Sequence, residues 1–297
     1  MSSQYSDLVK RASFAAIFTA ITLIVVKLFA WWQTGSVSML ASITDSTLDL
    51  LASFTSLLIL RFALMPADHN HSFGHGKAES LASMAQGAFI TGSAFFLLLQ
   101  GIHRLNNPMP VENTGIGISI TMFSVVITFI LVLYQGRVIR FTDSPAIKAD
   151  QLHYQTDLVM NAAILISLLL GYLGFNSADA IFAILIAIYI CINGAKMMFD
   201  AVQLLLDLAL PDEEIKQIGQ LIMQDKRILG FHDLRTRRAG EVRFIQMHLE
   251  LDDHLSFLQA HEITEKLESR LEQAFPTVEV VIHHEPTSIV QAEKKMM

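Results

Sequence analysis

The chain has 297 residues, 52% of them hydrophobic and only 16% charged, with a formal net charge of -7 and a mean hydropathy of +0.45. That composition excludes an ordinary soluble domain of this length and points to a membrane protein with a soluble appendage. The charge pattern gives no nucleic-acid footprint, so nucleic acid is excluded as a partner, and the single cysteine, Cys191, excludes an intrachain disulfide and a multi-cysteine metal centre.

In chain order, MSSQYSDLVKRASF puts two basic residues before an apolar run that lacks a small-x-small cleavage site, which reads as a retained first transmembrane helix. Apolar windows long enough to cross about 30 Å of hydrocarbon occupy residues 12–33, 38–63, 79–104, 114–138, 147–172 and 178–206, predicting six spans in a lipid bilayer. Turn signals such as Ser144-Pro145 separate them. Lys10, Arg11, Arg61, Lys77, Arg137, Arg140 and Lys148 fall on one side of these spans and only Arg104 on the other. Lysine and arginine accumulate in cytoplasmic loops, so both termini are expected in the cytoplasm.

The pattern changes after Leu210-Pro211. PDEEIKQIGQLIMQ is helical, FHDLRTRRAG and EVRFIQMHLEL alternate like strands, LSFLQAHEITEKLESRLEQAF is helical, and TVEVVIH is strand-like. The expected order is αββαβ, a small α+β domain of metallochaperone or ferredoxin-like type with two helices backing a half-buried sheet. Residues 1–208 therefore form a six-helix membrane domain, 209–290 a cytoplasmic domain, and 291–297 a disordered tail. Within the second strand, Ile245, Met247, Leu249 and Leu251 share one face, and Gln246, His248 and Glu250 the other.

Two spans carry polar residues at helical spacing. On span two Ser38, Ser42, Asp45, Asp49, Ser53 and Ser56 form one stripe; on span five Asp150, His153, Asp157 and Asn161 form another. Ionisable groups at bilayer depth are costly and mark functional sites. Span two runs inward and span five outward, so at about 1.5 Å per residue Asp49, counted from the outer end of its helix, and Asp157, counted from the inner end of its own, both lie near mid-depth. Asp45, Asp49, His153 and Asp157 are thus expected to meet near the midplane as one site of three carboxylates and an imidazole. This set suits zinc in a tetrahedral shell, and its mixed oxygen and nitrogen donors equally admit ferrous iron, manganese, cobalt or cadmium. Because imidazole titrates near pH 6.5 when unperturbed and must shed its proton to bind metal, His153 supplies a route to proton exchange.

TDSTLD (Thr44 to Asp49), HYQTD (His153 to Asp157), the loop HNHSFGHGKAES and the acidic, histidine-bearing tail together resemble the cation diffusion facilitator family, in particular its bacterial zinc and ferrous-iron efflux branch. The resemblance covers nearly the whole chain. It implies a homodimer in the bacterial inner membrane that exports divalent metal, zinc foremost with iron or cadmium as alternatives, against inward proton flow by alternating access. It implies that Asp45, Asp49, His153 and Asp157 are the transport site and that Asp68, His71 and His75 hold a second metal in a loop, with His69 apart from them. In the tail, the strand phase lets His283 and Glu285 face His248; with His232 and His261 these resemble the family's two-metal centre at the tail dimer interface. The branch usually has aspartate where this chain has Glu285. Lys77 and Asp207 resemble the family's charge interlock. Two readings from other classes stand beside export: an intramembrane zinc metalloenzyme, opposed by four protein ligands where a hydrolytic zinc keeps an open position, and a membrane-tethered metal sensor, for which six spans are more than an anchor requires.

Overall fold

The computed structural model describes residues 3–34, 37–106, 115–172, 178–275 and 277–294. The chain forms two compact units, Ser3–Val202 and Gln203–Met297.

The first unit contains α1 (Ser3–Thr34), α2 (Val37–Ala63), α3 (Ala78–Asn106), α4 (Gly115–Thr142), α5 (Pro145–Tyr172) and α6 (Ala178–Leu205), the last running into the second unit. Five of these six are apolar and long enough to cross a membrane by composition alone. The exception, α5, matches them in length at 28 residues, but its first half carries Lys148, Asp150, His153 and Asp157. Two of them turn inward, Asp150 at 3% exposed and His153 at 7%, while Asp157 is half-buried and Lys148 is exposed. The outward surface is apolar instead, with Phe18, Trp32, Phe96 and Phe129 all exposed, as expected where lipid replaces water. Ser144 and Pro145 open α5 as a cap and first-turn proline, the Ile147 N–H lying 3.5 Å from Ser144 Oγ.

Tyr5, Val9 and Ala12 of α1 pack with Leu60, Val138 and Ile147, joining α1, α2, α4 and α5; Ala16, Leu131, Val132 and Tyr154 continue that contact. Helix α3 seats against α6 through small residues, the arrangement that close packing in a bilayer favours. A Cβ added at Gly194 would lie 2.5 Å from Thr91 Oγ1 and 3.4 Å from the Gly87 carbonyl; one at Gly101 would lie 2.8 Å from Ile184 Cγ1. Ile90, Ala94 and Ile190 complete this seam, with Met160 of α5 against it.

The second unit contains α7 (Asp212–Ile222), β1 (Ile228–Ala239), β2 (Val242–Leu251), α8 (Phe257–Ala274), β3 (Val278–Pro286) and α9 (Thr287–Lys294). The sheet order is β1-β2-β3, with β1 antiparallel to β2 and β3 parallel to β2, α8 making the crossover that a parallel pair requires. Ser256 and Gln259 close a capping box at the start of α8. Ile245, Met247, Leu249 and Leu251 of β2 are all buried against Ile218 and Ile222 of α7 and Ala260, Ile263, Leu267 and Leu271 of α8. Both helices therefore cover one face of the sheet and leave His248 and its neighbours on the other.

One expectation fails at the C-terminus, where residues 291–294 belong to α9 instead of a disordered tail; residues 295–297 lie outside the described set. Three contacts pin this helix. Val290 is 2% exposed, Thr287 Oγ1 donates to the Leu251 carbonyl at 2.8 Å, and the Ser288 N–H donates to Asp253 Oδ1 at 3.0 Å. Hydrogen bonds from Ser288 hold the Asp253 carboxyl below the usual carboxylate range.

The α3–α6 seam yields a stability test. Gly194→Leu should lower the melting temperature of the purified protein, overpacking costing about 1–3 kcal/mol. Gly92→Leu, where an added Cβ meets nothing within 4 Å, should leave it unchanged.

Candidate metal centres

Among the described residues, three groups of side chains converge with ligand atoms within 4.8 Å of one another: Asp49, His153 and Asp157; Asp68, His71 and His75; and His232, His248 and Glu285.

The first lies between α2 and α5. Their antiparallel course puts Asp49 and Asp157 each about 18 Å along its helix at 1.5 Å per residue, so the depths match. His153 Nε2 is 3.2 Å from Asp49 Oδ1 and 4.0 Å from Asp157 Oδ2. Nε2 is buried without a well-aligned hydrogen bond, and the three ligand atoms lie within 4.8 Å of one another. Lys27 directs its Nζ to Ser46 Oγ at 2.6 Å and to the Ser42 carbonyl at 3.3 Å.

Asp45 is the expected fourth member, and the structure does not bring it into this group. One turn before Asp49 on α2, it lines a cavity of about 180 Å³ with Gln100, Arg104, Met160 and Phe182.

The second group lies in the loop between α2 and α3. Asp68 Oδ1 accepts from the backbone N–H groups of Asn70 at 2.9 Å and His71 at 2.7 Å, and the His71 N–H foremost holds the carboxyl below its ordinary range. It therefore stays ionised at neutral pH, as a ligand must. Asp68 also reaches both imidazoles, Oδ1 lying 3.4 Å from His71 Nδ1 and Oδ2 3.3 Å from His75 Nε2. His75 Nδ1 faces the Pro66 carbonyl at 3.1 Å. Donation there fixes the tautomer and leaves Nε2 as the ligand atom. That Nε2 is again buried without a hydrogen-bond partner, while Phe62 packs edge-on against the ring at 4.5 Å. His69 is exposed and outside the group.

Strand register builds the third group on the open face of the sheet. His232 pairs with His248 across β1 and β2, and His248 pairs with His283 across β2 and β3, giving a row of three imidazoles with centroids 5.1 Å and 4.9 Å apart. Glu285 divides its carboxylate among them: Oε1 lies 3.0 Å from His248 Nδ1 and 3.5 Å from His283 Nε2, and Oε2 lies 3.3 Å from His232 Nε2. The longer glutamate side chain thus reaches the whole row, and its Oε2 is buried without an aligned partner. His261 is exposed on α8, the helix that covers the opposite face of the sheet, and does not join the row within one protomer.

Sequence reasoning missed Glu250. It sits beside Glu285 in the strand register, and its Oε1 lies 3.1 Å from His232 Nδ1. A carboxylate there orients the ring and leaves Nε2 for a metal. Glycine at position 230 makes the room, since a Cβ on Gly230 would lie 2.9 Å from Glu250 Oε2. The signal was the shared phase of Glu250 and His248 on β2, to which only the cross-strand partner gives meaning.

Lys77 immediately precedes α3. Asp207, just beyond α6 at φ 62°, has its Oδ1 3.4 Å from Arg237 Nη1 of β1.

Each group thus holds one buried ligand atom that lacks a hydrogen-bond partner: His153 Nε2, His75 Nε2 and Glu285 Oε2. Such atoms are rare in native proteins and call for an explanation such as an ion. A divalent cation fits all three donor sets.

Comparison with known proteins agrees along the whole length. Residues 13–206 match the family described as the cation efflux transmembrane domain, and residues 210–287 match that of the cation efflux protein, cytoplasmic domain. The cation-efflux pump FieF of Escherichia fergusonii is 50% identical over 295 residues, covering 99% of this chain and 98% of that protein. FieF of Yersinia pestis is 49% identical over 294 residues with the same coverage. Among solved structures, the metal-bound C-terminal domain of the CzcD transporter from Thermotoga maritima is 29% identical, covering 26% of this chain and 95% of its own, with a TM-score of 0.25. With both domains matched in order and relatives half identical from end to end, the chain belongs to the cation efflux, or cation diffusion facilitator, family of membrane transporters.

Proposed function

We propose that this protein carries zinc, with ferrous iron or cadmium as further substrates, out of the bacterial cytoplasm across the inner membrane in exchange for protons, working as a homodimer by alternating access. The observation that carries the reading is the meeting of Asp49, His153 and Asp157 inside the membrane helices, with His153 Nε2 buried and lacking a well-aligned hydrogen bond. Relatives that this chain spans almost completely are named cation-efflux pumps, which favours transport over the metalloenzyme and sensor readings.

In this mechanism a cation from the cytoplasm displaces protons from the ligand set, because imidazole and carboxylate bind metal only when deprotonated. Protons arriving from outside then compete the cation off. Asp45, on the outward cavity, is the carboxylate to which the cation passes on release, completing the four-ligand set while it leaves. The site has three protein ligands without Asp45 and four with it, so the fourth ligand changes with position along the path, which keeps binding reversible. Asp68, His71 and His75 hold a second cation in the loop. In the tail His232, His248, His283 and Glu285 bind metal, with Glu285 bridging two ions and His261 acting between protomers of the dimer.

Three outcomes test this. Zinc uptake into proteoliposomes under a pH gradient should fall by tenfold or more in Asp49→Ala and in His153→Ala; uptake at the wild-type rate in both would remove the site from the path. Acidifying the loading side should slow transport, since protonated ligands do not bind; a rate unchanged from about pH 8 to about pH 6, across the ordinary imidazole range, would sever metal movement from proton exchange. Finally, Glu250→Ala should weaken zinc binding by the tail about tenfold or more, the usual effect of removing a carboxylate behind a metal-bound histidine, as measured by titration against a competing chelator.

A further inference from the structure

Of the six buried side-chain atoms without a hydrogen-bond partner among the described residues, one more belongs to a cluster of ligand type. It is Gln135 Oε1, on a side chain that is 0% exposed. The same amide donates through Nε2 to Asp150 Oδ2 at 2.6 Å. Asp150 Oδ1 accepts from Ser53 Oγ at 3.4 Å, and Ser53 Oγ lies 3.1 Å from the Tyr154 hydroxyl. Asp150, Ser53 and Tyr154 are 3%, 2% and 1% exposed. A carboxylate, an amide and two hydroxyls from α2, α4 and α5 thus form one buried hydrogen-bonded cluster inside the membrane domain, and none of them belongs to the three groups above.

Their position follows from helix direction. Ser53 is one turn, about 6 Å, beyond Asp49 along the inward-running α2, and Asp150 is about 4.5 Å before His153 on the outward-running α5. The cluster therefore lies on the cytoplasmic side of Asp49, His153 and Asp157, opposite to Asp45 and its cavity.

Building on the transport reading, we infer that Asp150, Gln135, Ser53 and Tyr154 form an oxygen-only way-station that a divalent cation occupies between the cytoplasm and the Asp49–His153–Asp157 site. All its donors are oxygen, and a half-turn of the Gln135 amide exchanges Nε2 for the unpartnered Oε1. The amide thus donates to the empty carboxylate and ligates once a cation arrives. Oxygen-only donors hold zinc less tightly than a set that includes imidazole, so the cation moves on to His153. In the present conformation these four side chains are buried, while Asp45 is exposed.

The test compares zinc uptake kinetics of the full-length protein in proteoliposomes for wild type, Asp150→Asn, Asp150→Glu and Gln135→Glu, with melting temperatures alongside. Asp150→Asn should cut the maximal rate tenfold or more at an unchanged melting temperature, and Asp150→Glu, which keeps the carboxylate, should recover most of it. Gln135→Glu, which adds a second carboxylate, should lower both KM and the maximal rate, because the cation lingers. Asp150→Asn within twofold of an active wild type overturns the way-station and leaves the transport reading standing. Loss of rate only together with melting temperature, unrescued by Asp150→Glu, overturns it in favour of a packing role. A wild type that moves no zinc would instead bring down the transport reading itself.

Discussion

An ionisable side chain cannot face lipid cheaply, and that constraint organises the membrane unit. The cost falls when such groups face one another or an ion, so Asp49, His153 and Asp157 lock the rotation of α2 and α5: each helix must turn its polar stripe to the other. Once those two are oriented, the remaining surfaces follow. Ser53 and Tyr154 meet on the same seam, and Tyr154 donates to the Ala16 carbonyl at 3.2 Å, tying in α1. Phe18 and Trp32 are left to point outward.

A second polar contact joins the start of α3 to α1 and to the start of α5. Glu79, fully buried at the start of α3, accepts from the Tyr5 hydroxyl at 2.8 Å and from Ser144 Oγ at 2.7 Å, joining α1, α3 and the start of α5. Across the unit, α3 meets α6 at glycines that let the backbones approach closely. Polar bonds hold one set of helices together and close backbone approach holds the other.

The tail reaches a similar chemistry by other means. Where the membrane site depends on depth along antiparallel helices, the tail site depends on register: a slip of one residue between β2 and β3 would send His283 and Glu285 to the buried face. Parallel pairing fixed by α8 sets His248 against His283 and Glu250 against Glu285. Burial of Ile245, Met247 and Leu249 on the other face holds that register.

Spans, stripes and phases were legible in the chain because each depends on periodicity within one element: helical spacing aligned Asp45 with Asp49 and His153 with Asp157, and strand alternation put His248 opposite the core face. The helix at residues 287–294 was not legible, since its anchors, Leu251, Asp253 and the pocket around Val290, belong to other elements. Nor were the separation of Asp45 from its expected partners, the place of Glu250 behind His232, the isolation of His261 on the far layer of its protomer, or the meeting of Gln135 with Asp150. By itself the sequence determined which residues can carry charge into the membrane and onto the sheet, because side-chain chemistry and period are local properties. Which of them share a point in space only the tertiary structure decided, because helix rotation and strand register arise from packing between segments far apart in the chain.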